Sequence, residues 1–544
     1  MTLPKLCVPL SLLALALVAA SPALRAVDAP ANPLPHFETK DGRHAFIVDG
    51  APFLMLGGQC NNSSAWPAAL PGVWSAVERM GANTLEAPVY WEQFEPDQGH
   101  YDTTIVDTLV RQAREHRVRL VLLWFGTWKN GSSHYVPMWV KNNPAICPKI
   151  IGKNGMAVDS PSPHSAAGLE ADSRAFAALM RHLKVADSAH TVILVQVENE
   201  SGAWNSIRDY SPAAQALFEK PVPKVLMEAL GLAGKAGADW AGAFGPNADE
   251  YFHAWSVGRY VGQVAAAGKA EYALPMYTNA ALRDPINPGP AGTYESGGPT
   301  DNVLSIWKAA APELDALSPD IYLSDSIKYR KVLDLYSRPD NPLLVPENGG
   351  SPAFARMFLA ALGKGAVGWA PFGIDRGSDG YVPMVGSKPD EDPLAAVSLN
   401  YHLVGPIARE VARLNFEGRL QALAEDPSEH TKTLAFGRWQ AGVTFGVPAF
   451  GFDREPKGNL DADGRVVVGQ LGENEFLVTG HACRVDFRVA DPGSKTQREY
   501  LRVEEGTYVN GAFRASRIWN GDQTDWGLNF GPAPVILRVK LGTY

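Results

Sequence analysis

A chain of 544 residues can bury a large core and has room for more than one domain. Its 46% hydrophobic and 20% charged content excludes a disordered or low-complexity protein. The formal net charge is −9, and −11 without residues 1–26, which carry Lys5 and Arg25 and no acid; nucleic acid is excluded as the main partner.

Residues 1–26 have the pattern of an export signal: Lys5, an apolar run over 10–20, then small residues, with cleavage open after Ala20, Ala23 or Ala26, the last preferred. That pattern predicts an exported protein, periplasmic or extracellular. The run is too short to cross a bilayer and no later segment is longer, so no membrane span is expected. Cys60, Cys147 and Cys483 remain in the mature chain and allow at most one disulfide. No C-x-x-C or H-E-x-x-H spacing occurs, so neither a metal nor a cofactor is expected. The sequence leaves the oligomeric state open.

Residues 27–36 are rich in Pro and Ala and are expected to be a flexible lead-in. An alternating stretch over 37–48, turning at Asp41-Gly42, predicts a β-hairpin. Strands and helices then alternate. Eight strands are predicted, at 53–59, 83–90, 119–125, 191–198, 272–279, 320–324, 343–347 and 366–372. Val73, Trp74, Val77 and Met80 keep helical spacing before Gly81, a stop. Ile105, Val106, Leu109, Val110 and Ala113 do the same behind Asp102, a candidate cap. Phe176, Leu179, Met180 and Leu183 mark a third helix, and Ser351-Pro352 opens a fourth that Gly363 ends. Repeated strand–helix units imply a parallel sheet, and eight of them predict an α/β fold, a (β/α)8 TIM barrel over 37–414. The Pro- and Gly-rich loops at 126–170 and 201–250 are long enough to wall a site. After Leu414 short alternating runs appear, at 433–436, 443–447, 465–469, 475–479, 484–489, 500–504 and 535–539. They predict a small all-β sandwich over 415–544. Little Gly, Ser or Pro occurs at the join, so the sandwich is expected to pack on the barrel.

The acids sit where a barrel does chemistry. Thr191-Val-Ile-Leu-Val-Gln-Val is an apolar run that meets Glu198, Asn199 and Glu200 without a polar approach. Carboxylates at the end of a buried strand are costly unless paired or used. Leu343-Leu344-Val345-Pro346-Glu347 repeats the arrangement at strand seven. At one rim of a barrel, two such carboxyls suit retaining glycoside hydrolysis, which needs an ionised nucleophile and a protonated acid about 5–5.5 Å apart. Asn199 is expected to donate to a sugar 2-hydroxyl, and Tyr322 either to donate to Glu347 or to fill the core. Glu86 is read as ending strand two, binding hydroxyls or serving as a structural acid. Gln59 and Asn62 after strand one, and Trp128 and Asn130 after strand three, are further candidate sugar contacts, with Trp128 stacking on the ring. Phe372 is a candidate pocket floor, Trp369 a core residue and Glu95 a loop-fixing acid. Glu198, two residues before Glu200, would face the same way on an ideal strand.

Val197-Glu198-Asn199-Glu200, the Pro346-Glu347 strand end, and Asn83-Thr84-Leu85-Glu86 leading to Trp91-Glu92-Gln93-Phe94-Glu95-Pro96 together resemble glycoside hydrolase family 35, the β-galactosidase family. The likeness covers roughly residues 37–410. It implies Glu200 as acid/base, Glu347 as nucleophile, and a terminal β-galactoside as substrate. Pro88 stands where the common pattern has a tyrosine. The segment Trp124-Phe125-Gly126-Thr127-Trp128-Lys129-Asn130 and the Gly57-Gly58-Gln59-Cys60-Asn61-Asn62-Ser63-Ser64 stretch also depart from it. With the small β domain, these features resemble a bacterial branch linked to plant cell-wall galactosides, xyloglucan side chains among them. Two alternatives stand beside this reading. One is another retaining β-glycosidase, a β-glucosidase, β-xylosidase or arabinosidase. The other is a carbohydrate-binding protein without activity.

Overall fold

The structure is a computed structural model that describes residues 1–2, 33–235, 237–375, 392, 394–446, 458–491, 493 and 495–544. Residues 1–32 and 33–544 are separate units, and the barrel and the sheets belong to the second. The expected export signal and lead-in lie almost wholly outside the described residues. Among the described residues no helix is long and apolar enough to cross a membrane.

The second unit opens with two antiparallel strands, His36–Lys40 and Arg43–Val48. Asp41 and Gly42 both take positive φ, 51° and 72°, which a tight hairpin turn requires. Eight strands then form the barrel: β1 (Met55–Gln59), β2 (Thr84–Tyr90), β3 (Arg119–Lys129), β4 (Val192–Asn199), β5 (Met276–Ala281), β6 (Ala316–Ile321), β7 in two pieces (Leu344–Val345 and Glu347–Asn348) and β8 (Gly368–Trp369). All their mutual pairings are parallel. The two pieces of β7 are the two ends of the sheet order: Leu344–Val345 pairs with β8 and Glu347–Asn348 with β6. That split closes the barrel. Every residue of β1, β2 and β4 is buried, as strands covered on both faces must be.

Helices behave as their spacing predicts where apolar residues recur every three or four positions. Leu70–Met80 ends on Gly81 at φ 70°, and Thr104–His116 starts beside Asp102, whose Oδ1 accepts the Thr104 N–H. Pro352 opens the helical pair Pro352–Ala355 and Met357–Gly363. Strands five and six lie elsewhere than predicted. β5 starts at Met276, because Tyr272 still caps the preceding helix Ala248–Glu271. β6 runs over Ala316–Ile321 and not 320–324, since Pro319, which reads as a breaker, sits inside the strand opposite Ala280.

Two antiparallel sheets follow the barrel. One orders Leu420–Ala424, Arg465–Gly472, Glu475–His481, Ile536–Thr543, Arg498–Val509 and Ala512–Trp519; the other Thr431–Phe436, Trp439–Phe445, Cys483–Val489 and Leu528–Phe530. Trp439–Phe445 alternates strictly between buried and half-buried residues, the mark of one face on a core. That core holds Trp439, Phe476, Val478 and Phe487. The first strand belongs to both domains: Ala422 and Ala424 pack into the barrel's core. Arg356 donates to the Glu425 carbonyl and Arg465 to Asn400 Oδ1, tying the domains together. Gly363 must be a glycine, because a Cβ there would sit 2.2 Å from the Ala422 carbonyl oxygen. Strands Leu420–Ala424, Ala512–Trp519 and Leu528–Phe530 were not anticipated, and Val447 lies outside the described residues. Cys60, Cys147 and Cys483 are all free thiols, the first and last buried.

Candidate active site

The register of parallel strands decides which side chains meet. Asp320 of β6 stands beside Glu347 of β7, and Gln59 of β1 beside Glu86 of β2. Adjacent residues in a parallel pair share a face, so both couples point the same way. Glu200 leaves the end of β4 with φ 44°, a left-handed conformation that turns it off the strand's alternation. Its N–H donates to Asn279 Oδ1 at 3.0 Å, and its carbonyl accepts the Gly131 N–H at 2.9 Å. Gly131 itself has φ 69°, and a Cβ there would meet Trp204 and Glu295 at 2.6 Å.

These placements bring one oxygen each of Glu200, Asp320 and Glu347 within 4.8 Å of one another. Both oxygens of Glu347 accept hydrogen bonds, from Gln59 Nε2 at 3.0 Å and Tyr322 Oη at 2.7 Å. Glu200 keeps partial exposure, but burial of its carboxyl, with the charge of Glu347 beside it, pushes it up to about 7. Lys129 and a hydrogen-bonding contact with Asp320 act in the opposite sense. Asp320 is pushed well above the carboxylate range, by burial first and by Glu347 and Glu200 next.

Lys129 reaches the site through a bulge. The register of β3 against β4 slips between Trp124 and Lys129, which sets Lys129 beside Asn199. Its ammonium donates to Asn199 Oδ1 at 2.9 Å. That bond fixes the amide so that Nδ2, which has no acceptor among the described residues, remains to donate elsewhere.

The other expected contacts divide. Gln59 and Tyr322 touch Glu347. Asn62 is half-buried after β1 and its Oδ1 has no partner among the described residues. Asn130 is exposed at φ 54°, with its Oδ1 taken by Lys129. Phe372 is half-buried and joins three strands through its backbone, bridging to Gln59 and donating to the Asn348 carbonyl. Glu86 does not end strand two: β2 continues to Tyr90, so Glu86 lies within the barrel, fully buried, accepting from Tyr277 Oη at 3.1 Å. Trp128 is also corrected. Its ring is 0% exposed and stands edge-on to Tyr260 at 4.8 Å, which leaves no face for a sugar. Trp369 is core, bonded to Tyr329. Glu95 fixes a loop by accepting from Trp91 Nε1 and the Gly99 N–H.

Glu198 departs most from expectation. It does not face Glu200's way. At φ 61° it turns into the bulge of β3, fully buried, where its Oε2 accepts the Trp128 N–H at 2.6 Å. Its neighbour there is Asp172, from the helix Ala166–Ala186. An ideal strand was the wrong premise, because two of three consecutive residues have positive φ.

Asp320, Asn279, Lys129 and Glu295 escaped the sequence reading. Asp320 is an acid at the end of an apolar strand, the signal that marked Glu200 and Glu347, but Pro319 concealed the strand. Glu295 lies in the loop after β5, 1% exposed, with neither oxygen partnered among the described residues. Nothing local in the sequence separates it from a surface acid. Exposed Trp66 and Trp204 lie in the loops after β1 and β4, and Trp66 stacks on Tyr90 at 5.8 Å. As for a cation, the three clustered acids are close enough to be considered. Three of their six oxygens already take hydrogen bonds, from Gln59, Tyr322 and Asn279, which a cation would have to displace. We assign them no metal.

A domain of unknown function, DUF5597, matches residues 397–531, the end of the barrel and most of the sandwich. A beta-galactosidase from Xanthomonas manihotis is 27% identical over 209 residues, 36% of this chain and 32% of that protein. The chain thus spans about a third of the length of the curated relative it matches. Among solved structures, the beta-galactosidase from Bacillus circulans sp. alkalophilus aligns with TM-score 0.48 at 13% identity, over 66% of this chain and 57% of that one. The catalytic domain of beta-amylase from Paenibacillus polymyxa aligns with TM-score 0.47 at 12% identity, over 63% and 96%.

Proposed function

We propose that this chain is a β-galactosidase-like retaining glycoside hydrolase of family 35. In this reading it is exo-acting and exported, and it releases terminal β-linked galactose from oligosaccharides or plant cell-wall fragments such as xyloglucan side chains. The observation that carries the reading is the pairing of Glu200 with Glu347. Their carboxyl oxygens lie within 4.8 Å at the C-terminal rim of a (β/α)8 barrel, and Glu200 is raised to about 7. The segment shared with a beta-galactosidase supports the choice of sugar.

Each residue then has a role. Glu347, steadied by Gln59 and Tyr322, attacks the anomeric carbon and forms a glycosyl-enzyme. Glu200 gives its proton to the departing oxygen. Once Glu347 is esterified its charge is gone, one cause of Glu200's raised value disappears, and Glu200 takes a proton from the attacking water. Asn199 Nδ2 donates to the 2-hydroxyl, a bond that tightens as the transition state develops.

A panel of nitrophenyl glycosides tests the sugar, and NMR of the first-formed product tests the stereochemistry. Release of β-galactose from the β-galactoside is the expected result. Preference for another glycoside overturns the sugar, α-configured product overturns the double displacement, and no hydrolysis of any glycoside overturns the enzyme.

A further inference from the structure

Asp320 has no part in that mechanism, yet it lies against both acids. Its Oδ2 accepts from Asn279 Nδ2, and the same amide's Oδ1 accepts the Glu200 N–H, so one asparagine clips Asp320 to the backbone of Glu200. Its Oδ1 is buried and has no donor among the described residues, and an Asp320 oxygen lies within 4.8 Å of an oxygen of Glu200. Two carboxylates cannot bond to each other; a carboxylic acid and a carboxylate can. Like charges this close do not all ionise. Among the three acids Glu347 accepts two donors and Asp320 one.

We propose that Asp320 is a positioning residue for Glu200: a neutral carboxylic acid whose Oδ1–H donates to the Glu200 carboxyl and holds it towards Glu347. This rests on the reading of Glu200 as the acid/base. When Glu200 is protonated, it accepts from Asp320 on one oxygen and offers its own O–H from the other to the leaving oxygen. After that transfer it is a carboxylate, still accepting from Asp320, until it takes a proton from water. Asp320 keeps its proton throughout, so the proton balance of the reaction is unchanged. The charged or titratable groups facing Asp320 are Glu347, Glu200, Lys129, Tyr277, Tyr322 and Tyr336. Among these Lys129 alone carries positive charge, and its ammonium is engaged by Asn130 and Asn199.

Two variants of the full chain test this. In Asp320→Asn the amide keeps both bonds, accepting from Asn279 and donating to Glu200. The basic limb of kcat/KM against pH, near 7 in the wild type, is expected to stay in place. In Asp320→Ala the donor to the Glu200 carboxylate is lost, so the limb should rise by about one pH unit and kcat/KM should fall roughly tenfold. A limb that falls in Asp320→Asn would mean that a negative charge had been removed, and the proposal would be wrong. Infrared difference spectra near pH 8 read the proton without turnover. Asp320→Asn should lose one neutral-carboxyl band; loss of a carboxylate band instead overturns the proposal whatever the kinetics. If the wild type hydrolyses no glycoside, the role of Glu200 falls and with it the positioning role, while the spectra still decide whether Asp320 is neutral.

Discussion

The rim of the barrel and the core of the sandwich treat polar atoms in opposite ways. At the rim and just beneath it, Asn199 Nδ2, Glu86 Oε1 and both oxygens of Glu295 are buried with no partner among the described residues. Between the sheets, the core is Trp439, Phe476, Val478, Phe487 and other apolar residues, and Trp439 places its one polar atom on Asn474 Oδ1; at its margin only Tyr500 Oη and His481 Nδ1 are buried without a partner among the described residues. Leaving a polar group unsatisfied costs about 1–3 kcal/mol, so a run of such groups persists only where something other than stability selects it. The sandwich is scaffold by this measure. The rim leaves such groups unpaired among the described residues, as a site that takes a ligand does.

Glu347→Ala should break the rim most completely. Turnover should fall by a factor on the order of 10⁵, with the melting temperature little changed, and added azide should restore activity with an α-glycosyl azide product. Activity near the wild-type level would remove the site. Glu200→Ala comes next. Cleavage of galactosides with sugar leaving groups should drop roughly 10²–10⁴-fold, and activated nitrophenyl substrates should lose far less in the first step. In the wild type, activity should be lost as pH rises through about 7, where Glu200 gives up its proton; Glu200→Ala should lack that limb. Stability carries the same sign. A carboxyl raised in the folded state favours folding fully below its ordinary value and loses that contribution as pH rises through about 7. A denaturation series in Glu200→Gln should show that slope reduced.

The contrast between rim and sandwich explains what could be read from the sequence. Apolar runs and helical periodicity are local, so the barrel, most of its strands and the two rim acids Glu200 and Glu347 were legible, while strands five and six were misplaced. The sandwich strand Trp439–Phe445 was seen only in part, as a run at 443–447. Backbone conformation at the rim is not local in this sense. The bulge in β3 that buries Trp128 and delivers Lys129 depends on β4 beside it. So does the positive φ at Glu198 and Glu200, which sends two acids of one strand to different places. Asp320 was hidden by Pro319, a residue whose local meaning is a break and which a neighbouring strand overrode. Burial of Glu86 under the rim, by contrast, was within reach, because the predicted strand 83–90 already ran four residues past its acid.

Phe476→Ala sharpens the comparison from the scaffold side. Phe476 is fully buried between Phe436 and Phe487, with centroids 5.4 and 4.8 Å away. The variant should lose about 3–5 kcal/mol of stability in chemical denaturation, with kcat unchanged for the molecules still folded. A matching loss of kcat would mean that the sandwich does more than support the barrel. Tyr322→Phe is the converse and is smaller. It removes one bond to the Glu347 carboxylate, worth roughly 1.5–3 kcal/mol, so kcat/KM should fall about 10–100-fold while thermal stability barely moves.

The smallest effect is expected at Glu198, and it discriminates best, because Glu198 is a buried rim acid that the geometry makes part of the scaffold. Burial, and then the charge of Asp172, raise it well above the carboxylate range. It is therefore neutral at working pH, with Oε2 accepting the Trp128 N–H and its own proton available to Asp172. Asp172 also accepts from Trp124 Nε1 and from the Thr127 N–H and hydroxyl, so the whole set fastens the β3 bulge to a helix. Glutamine reproduces a neutral glutamic acid, one acceptor and one donor in the same places. Glu198→Gln should keep activity within about threefold and leave the limb near 7 where it was. Glu198→Ala should instead destabilise the fold by roughly 2–4 kcal/mol, because the Trp128 N–H loses its acceptor inside the protein and a cavity is left behind the β3 bulge. Its residual activity should show no dependence on the leaving group beyond that of the wild type. If Glu198→Ala spares nitrophenyl substrates and cripples natural ones while Glu200→Ala does not, the acid/base is Glu198, and the positive φ that separates the two acids has been assigned the wrong meaning.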